Sequence, residues 1–503
     1  MDMLASLGQG FGEALQPFHL FLALFGCFVG TLVGALPGLG PTNGVAILIP
    51  LAFALGLEPS AAVIMLVSVY YGAMYGGRIS SILLNIPGDE PAVMTTLDGY
   101  PMAKQGKAAS ALLISGVASF VGATLATIGL TLFAPLLARV AIHFGPAEYF
   151  ALYLLAFATI GGIVGSNPFK TLLAATLGLA IGTIGIDPMS GVPRYTFGVF
   201  EVYDGIDFIV ALVGLFAISE FLIFLESHES MRRPKVPIGS LMGAIKDVPR
   251  TFGAMLRGSG IGFVAGVLPG AGASLGSFLA YVLERRTSDR NGTFGKGDPR
   301  GVAAPEAGNN GAAGGALVPM LTLGVPGSGT TAVLLALLIS LGVQPGPLMF
   351  EKQPELIWGL IAALYIANVM LLILNIPLVG LFTRILALPY WALMPSVVMV
   401  AFVGVFSINN SVFELYMMIG FGVVGYIFRK LDISLVPVVL GLLLGSNMEF
   451  NLRRAFTISN ADPAILIGSW ISIGIYAATA AFLIAAFALS RSKLPSRPQD
   501  DAD

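Results

Sequence analysis

The sequence predicts an all-α polytopic membrane protein. It is read as two inverted structural repeats with broken helices and re-entrant hairpins, roughly 10–12 membrane segments in all. Three observations predict this. Of 503 residues, 56% are apolar and only 11% are Asp, Glu, Lys or Arg, where a soluble domain carries about 25% charged residues. Apolar stretches of spanning length run from near Phe18 to Leu489. A glycine-rich block occurs twice, and the Lys and Arg residues are distributed so that its two copies face opposite sides of a bilayer. The net charge of −2 offers no electrostatic footprint for nucleic acid, so the expected surroundings are the lipid bilayer and other proteins.

No Lys or Arg precedes Arg78, so the start of the chain lacks the basic region of a signal peptide, and the first apolar segment is expected to be kept. The single cysteine, Cys27, lies in that segment and has no partner for an internal disulfide. There Gly26, Gly30, Gly34 and Gly38 form a G-x-x-x-G series ending in ALPGLGPTNG. Gly258, Gly262, Gly266 and Gly270 repeat it at an offset of 232, ending in VLPGAGASLG, with 8 of 19 positions identical. A second pair follows in the same order. GAMYGGRISSILLNIPG (72–88) matches GAAGGALVPMLTLGVPG (311–327) at an offset of 239, with 6 of 17 positions identical. The difference of seven falls where the second copy carries the polar loop ERRTSDRNGTFGKGDPR. Two ordered matches at nearly one offset indicate duplication.

The positive-inside rule orients the halves. The loops 227–257 and 285–300 are rich in Lys and Arg and are expected in the cytoplasm. Residues 258–284 then enter and leave on one side. At roughly 1.5 Å per residue they are too short for two crossings of a ~30 Å core, so they read as a hairpin bent at Pro269-Gly270. Their counterpart, 26–52, is flanked by segments without Lys or Arg and is expected to enter from outside. Spans near 108–138, 146–163, 169–187 and 206–226 follow, then 356–385, 389–406, 411–428, 432–446 and 463–490. This places Arg384, Arg429, Lys430 and the C-terminus inside, and Arg453 and Arg454 outside, against the rule. The organisation is thus a first transmembrane repeat (1–226), a basic cytoplasmic connection (227–257), a second repeat (258–490) and a polar cytoplasmic tail (491–503).

The segments ALPGLGPTNG, YYGAMYGGRISSILLNIPGDEPAVMTTLDGYPMAKQGKA and PEAGNNGAAGGALVPMLTLGVPGSGTTAVLL resemble the large membrane subunit of tripartite tricarboxylate transporters, and the similarity extends over nearly the whole chain. The resemblance implies a permease of the bacterial inner membrane for citrate-like carboxylates. It also implies a small four-helix membrane subunit, a periplasmic solute-binding protein, and coupling to a Na⁺ or H⁺ gradient rather than ATP. An alternative within transport is a stand-alone ion-coupled symporter or exporter of organic anions.

A carboxylate leaving water needs its hydration replaced, and the N-termini of broken helices offer free N–H groups and a positive dipole end. Four Pro-Gly breaks followed by capping residues have this composition. They give Thr42, Asn43 and Gly44, then Ser274 and Gly276, then Ser328, Thr330 and Thr331 as candidate substrate contacts, with Asp89 and Glu90 at the fourth break. The plainer reading is that Pro and Gly kink the helices and the hydroxyls satisfy local carbonyls. Arg78, the only formal charge between Glu58 and Asp89, is read either as a clamp on a substrate carboxylate or as a partner of Asp89 or Glu90. Asn309, Asn310, Gly38 and Gly270, with Glu306 nearby, are candidates for a coupling-ion site, against a reading as close helix packing with polar glue. No cofactor and no transition-metal site is expected, because His19, His143 and His228 are scattered. GVPGSGTT (324–331) has the spacing of a phosphate loop but places Thr330 where its lysine belongs. An enzyme would need a nucleophile, a metal cluster or an acid–base pair at one depth, and the sequence presents none.

Overall fold

Proline sets where many of the helices begin, because its missing N–H falls on a position that has no intrahelical acceptor. The computed structural model describes residues 3–36, 39–163, 168–187, 189–226, 245–268, 272–378 and 390–491. In it, helices open on Pro17, Pro59, Pro146, Pro168, Pro299 and Pro354. In chain order the helices are α1 (Met3–Ala14), α2 (Pro17–Ala35), α3 (Gly40–Ala54), α4 (Pro59–Leu84), α5 (Val93–Lys104), α6 (Ala108–Ala141), α7 (Pro146–Ile163) and α8 (Pro168–Gly182). Then come α9 (Phe208–Glu226), α10 (Val248–Val267), α11 (Gly272–Ser288), α12 (Pro299–Gly315), α13 (Leu317–Leu323) and α14 (Gly329–Ser340). The chain finishes with α15 (Pro354–Asn375), α16 (Tyr390–Asn409), α17 (Val412–Lys430), α18 (Val436–Ile458) and α19 (Trp470–Arg491). Between α8 and α9 a two-stranded antiparallel ribbon pairs Gly185–Ile186 with Pro193–Arg194. The architecture is that of an all-α polytopic membrane protein, and among the described residues α2, α4, α6, α9, α15 and α17 are long and apolar enough to cross a membrane.

Helix α4 lies at the centre, with every residue from Ala61 to Leu83 buried. Its partner α2 packs on it through the first glycine series. A Cβ added to Gly26, Gly30 or Gly34 would run into the backbone of Met65, Val69 or Ala73. In the second half, a Cβ on Gly258, Gly262 or Gly266 of α10 would meet the backbone of Ala304, Gly308 or Ala312 of α12. The first set maps onto the second by the same offsets of 232 and 239 that align the sequences. Small residues let the two backbones touch, as close packing within a membrane favours. Helix ends repeat as well. Asn85 closes α4 with φ 58° and Gly324 closes α13 with φ 67°, both left-handed caps that stop a helix just before a Pro-Gly pair. Gly40 and Gly272 open α3 and α11 with φ 60° and 63°, a backbone that favours glycine.

Both hairpins are longer than the glycine series suggests. Helix α2 begins at Pro17, and α10 begins at Val248, so residues 248–257 of the expected basic loop are helical. They can be, because Thr251, Ala254, Met255 and Gly258 make a buried stripe at helical spacing while Arg250 and Arg257 stay exposed. The bends at Pro37, Gly38 and at 269–271 lie outside the described residues, as do 227–244, Arg384 and the tail from 492. The arms show the reversal in the second half: Gly276 lies against Gly262, and Arg257 holds Glu284 at 2.8 Å across the base. Helix α18 continues to Ile458, past the expected end at 446, and so carries Arg453. Arg453 is neutralised by Asp187 at 2.8 Å and Glu449 at 2.7 Å. Ser190 and Arg453 in turn hold the Asp187 carboxyl below the usual carboxylate range.

Candidate functional site

Four chain breaks converge on one cavity of 550 Å³. They are the start of α3 (Leu39 to Asn43), the turn before α5 (Pro87 to Pro91), the start of α11 (Gly272 to Ser274) and the start of α14 (Ser328 to Thr330). Two breaks come from each half of the sequence. Tyr70 and Met74 of α4, Phe216 of α9, Arg429 at the end of α17 and the 433–436 segment complete the wall.

Contacts between the halves tie the breaks together. Thr42 Oγ1 and Thr330 Oγ1 are hydrogen-bonded at 2.9 Å. On the other side Ser274 Oγ donates to Glu90 Oε2 at 3.3 Å and Ser277 Oγ to the Pro91 carbonyl at 2.8 Å. Within the second half, the Gly272 amide donates to the Gly327 carbonyl at 3.2 Å. Two of the breaks also have a local cap. Ser328 and Thr331 form a reciprocal capping box on α14, with the Thr331 amide donating to Ser328 Oγ at 3.2 Å. The repeat-related Asp89 accepts from the Ala92 amide at 3.0 Å. One loop thus presents carboxylates, Asp89 and Glu90, where its counterpart presents Ser328 and Gly329.

The sequence candidates divide accordingly. Thr42, Asn43, Ser274, Ser328 and Thr330 line the cavity. Gly44, Gly276 and Thr331 stand just behind it: Gly44 packs on Val33, Gly276 fits between Gly262 and Ala312, and Thr331 completes the cap of α14. Arg78 does not line the cavity. Its guanidinium is fully buried, donating to the Leu112 carbonyl at 2.7 Å, Ser115 Oγ at 2.9 Å, and the carbonyl and side chain of Asn375 at 3.3 Å. Among the described residues Arg78 bonds neither Asp89 nor Glu90; it joins α4, α6 and α15.

Glu306 is buried and accepts from Thr95 Oγ1 at 2.5 Å and Ser119 Oγ at 3.1 Å, while Asn310 Nδ2 donates to the Glu306 carbonyl at 3.1 Å. Asn309, only 1% exposed, has no hydrogen-bond partner for either side-chain polar atom among the described residues. Gly38 and Gly270 lie outside the described residues. Among those described, no group of His, Cys, Asp and Glu is arranged to hold a metal ion.

Two residues that matter for the site escape a reading of the sequence. Arg429 ends an apolar run, where a cation reads simply as a marker of membrane side; in the fold it reaches the cavity wall. Asp98 is a lone acid in α5. Its Oδ1 accepts the amides of Gly295 and Gly297 at 2.9 Å and of Asp298 at 2.8 Å, and its Oδ2 accepts from the Tyr281 hydroxyl at 3.0 Å. This carboxylate anchors the polar loop of the second half on the helix that follows the 87–91 break. Its only sequence signal is one unpaired charge in TTLDGYP, because its donors lie about 200 residues further along.

The model of the tripartite tricarboxylate transporter TctA family matches residues 20–440. A protein of Agrobacterium vitis described as "Uncharacterized 52.8 kDa protein in TAR-I ttuC' 3'region" is 38% identical over 494 residues, covering 98% of both chains. A second from the same organism, "Uncharacterized protein in TAR-II ttuC' 3'region", is 41% identical over 206 residues, 41% of this chain and 85% of that one. No solved structure matches.

Proposed function

The chain belongs to the tripartite tricarboxylate transporter TctA family, a family of membrane transporter components, and on that premise we propose that the cavity between the four breaks is where it binds an organic carboxylate in transit. The observation that supports this most is that breaks from both halves meet there, with Thr42 touching Thr330 and Ser274 touching Glu90. The amides at the starts of α3, α11 and α14 are the groups that replace water around an anion. A volume of 550 Å³ lies within the range of about 300–1,000 Å³ typical of small-molecule sites. In this reading the substrate is a tricarboxylate or dicarboxylate, and the two halves are inverted and rock about the site by alternating access. A periplasmic solute-binding protein delivers the substrate, a small four-helix subunit accompanies the chain in the bacterial inner membrane, and a Na⁺ or H⁺ gradient drives uptake. The C-terminus lies in the cytoplasm. Asn309, buried with no partner for its side-chain amide among the described residues, is the residue to examine for the coupling ion.

The test is uptake of labelled citrate and succinate by cells expressing the chain with its two partners. Thr42→Val and Ser274→Ala should each raise KM about 3- to 10-fold without loss of protein from the membrane. Removing either partner should nearly abolish uptake, and clamping the ion gradients should stop it even with ATP present. Unchanged KM in both variants would reject the site; full transport by the chain alone in liposomes would replace the tripartite reading with a stand-alone carrier.

A further inference from the structure

The cavity holds two carboxylates and one cation. Asp89 and Glu90 line it, as does Arg429, the one cationic side chain among its described lining residues. An anion entering beside two acids needs a fixed positive charge, and helix N-termini supply only partial ones. Arg429 stands at the end of α17, with its side chain 22% exposed. Nη1 is ion-paired with Glu220 of α9, whose side chain is 11% exposed. Nη2 points to Asn43 Oδ1 at 3.5 Å, the outer limit of a hydrogen bond. Asn43 lies in the first turn of α3, so the guanidinium is tethered on one side by a carboxylate and meets the broken tip on the other through a weak contact. Arg78 lies outside the cavity lining, and its Nη1 and Nη2 donate to the Leu112 carbonyl, Ser115 and Asn375.

We propose that Arg429 is the side chain that binds a substrate carboxylate in this cavity. The substrate carboxylate takes the Nη2 side now turned toward Asn43, while Glu220 holds the guanidinium in position as a positioning residue. The inference rests on the cavity being the substrate site. Its chemistry is that of a planar fork, which can give one edge to an orienting carboxylate and another to a ligand; a lysine has no such fork. It also gives the cavity its selectivity: a ligand needs at least one carboxylate for Arg429, and the remaining carboxylates fall to the helix N-termini across the cavity.

The test is binding of labelled citrate and succinate to the purified full chain in lipid nanodiscs. Arg429→Gln alone leaves Glu220 without its cation and can cost folding. The informative variant is therefore Arg429→Gln combined with Glu220→Gln, which removes both charges together. It should bind citrate about 10- to 100-fold more weakly than wild type. Arg429→Lys should fall between the two, and Thr42→Val should weaken binding independently. Wild-type affinity in the double variant, with Thr42→Val still impaired, overturns the role of Arg429 and leaves the cavity as the site. Absence of citrate and succinate binding by the wild-type chain overturns both. Equal affinities in Arg429→Lys and wild type also contradict the proposal, since charge alone would then suffice.

Discussion

The two halves of the molecule agree in how they pack and differ in what charge they carry. Helix α2 on α4 and helix α10 on α12 touch through glycines at the same register, and both α4 and α13 end on a left-handed cap before a Pro-Gly pair. At the breaks the halves diverge. The first half offers Asp89 and Glu90 where the second offers Ser328 and Gly329, and it carries Arg78 where the second has Leu317. The second half alone inserts the polar loop that Asp98 of the first half anchors. The shared part is what brings backbones together and exposes helix N-termini. The unshared part is electrostatic, so the chemistry of the cavity is one-sided even though its frame is doubled.

The largest expected effect tests the shared frame. Gly34→Leu and Gly266→Leu each force a side chain into the backbone of the facing helix, a strain beyond the ordinary overpacking cost of about 1–3 kcal/mol. Both should remove most of the folded protein from the membrane, measured as monodisperse protein after detergent extraction. If one position tolerates leucine while the other does not, the halves do not share their packing. A smaller but still large effect tests the charge at the break. Asn43→Asp places a carboxylate beside Arg429 and against an anionic ligand, and should cut transport about tenfold or more with normal protein levels. Smaller again is Glu90→Gln, which removes a like charge from the acidic side and should lower KM about two- to threefold. A rise in KM instead would show that Glu90 assists binding, and the acidic side would need a different account.

Much of the frame is legible in the sequence because packing within a membrane leaves local marks. A G-x-x-x-G series, a Pro-Gly pair and a following hydroxyl are short patterns, and their repetition at one offset identifies Thr42 and Ser274 as equivalents. The ends of the hairpins are less legible. Helix α10 begins at Val248 because a buried stripe continues under Arg250 and Arg257, and a run of cations conceals that stripe. Charges are the least legible. Arg78 looks like the functional arginine because it interrupts an apolar stretch, yet its acceptors are the Leu112 carbonyl, Ser115 and Asn375 from two distant helices. Arg429 looks topological because it ends a span, yet long-range packing carries it to Asn43, 386 residues away in sequence. Such partnerships depend on which helices become neighbours, and nothing in a local window encodes that.

The claim on which the account turns is that the two hairpin tips share one substrate cavity. It can be tested in membranes. Cys27 is the only native cysteine and is fully buried, so Thr42→Cys and Ser274→Cys can be labelled one at a time with a small charged thiol reagent. Saturating citrate or succinate should slow labelling at both positions by a similar factor, while a cysteine on an exposed loop outside the cavity lining, as in Glu58→Cys, should be unaffected. Protection at only one tip, or at neither while the carboxylate is demonstrably bound, would contradict the shared cavity.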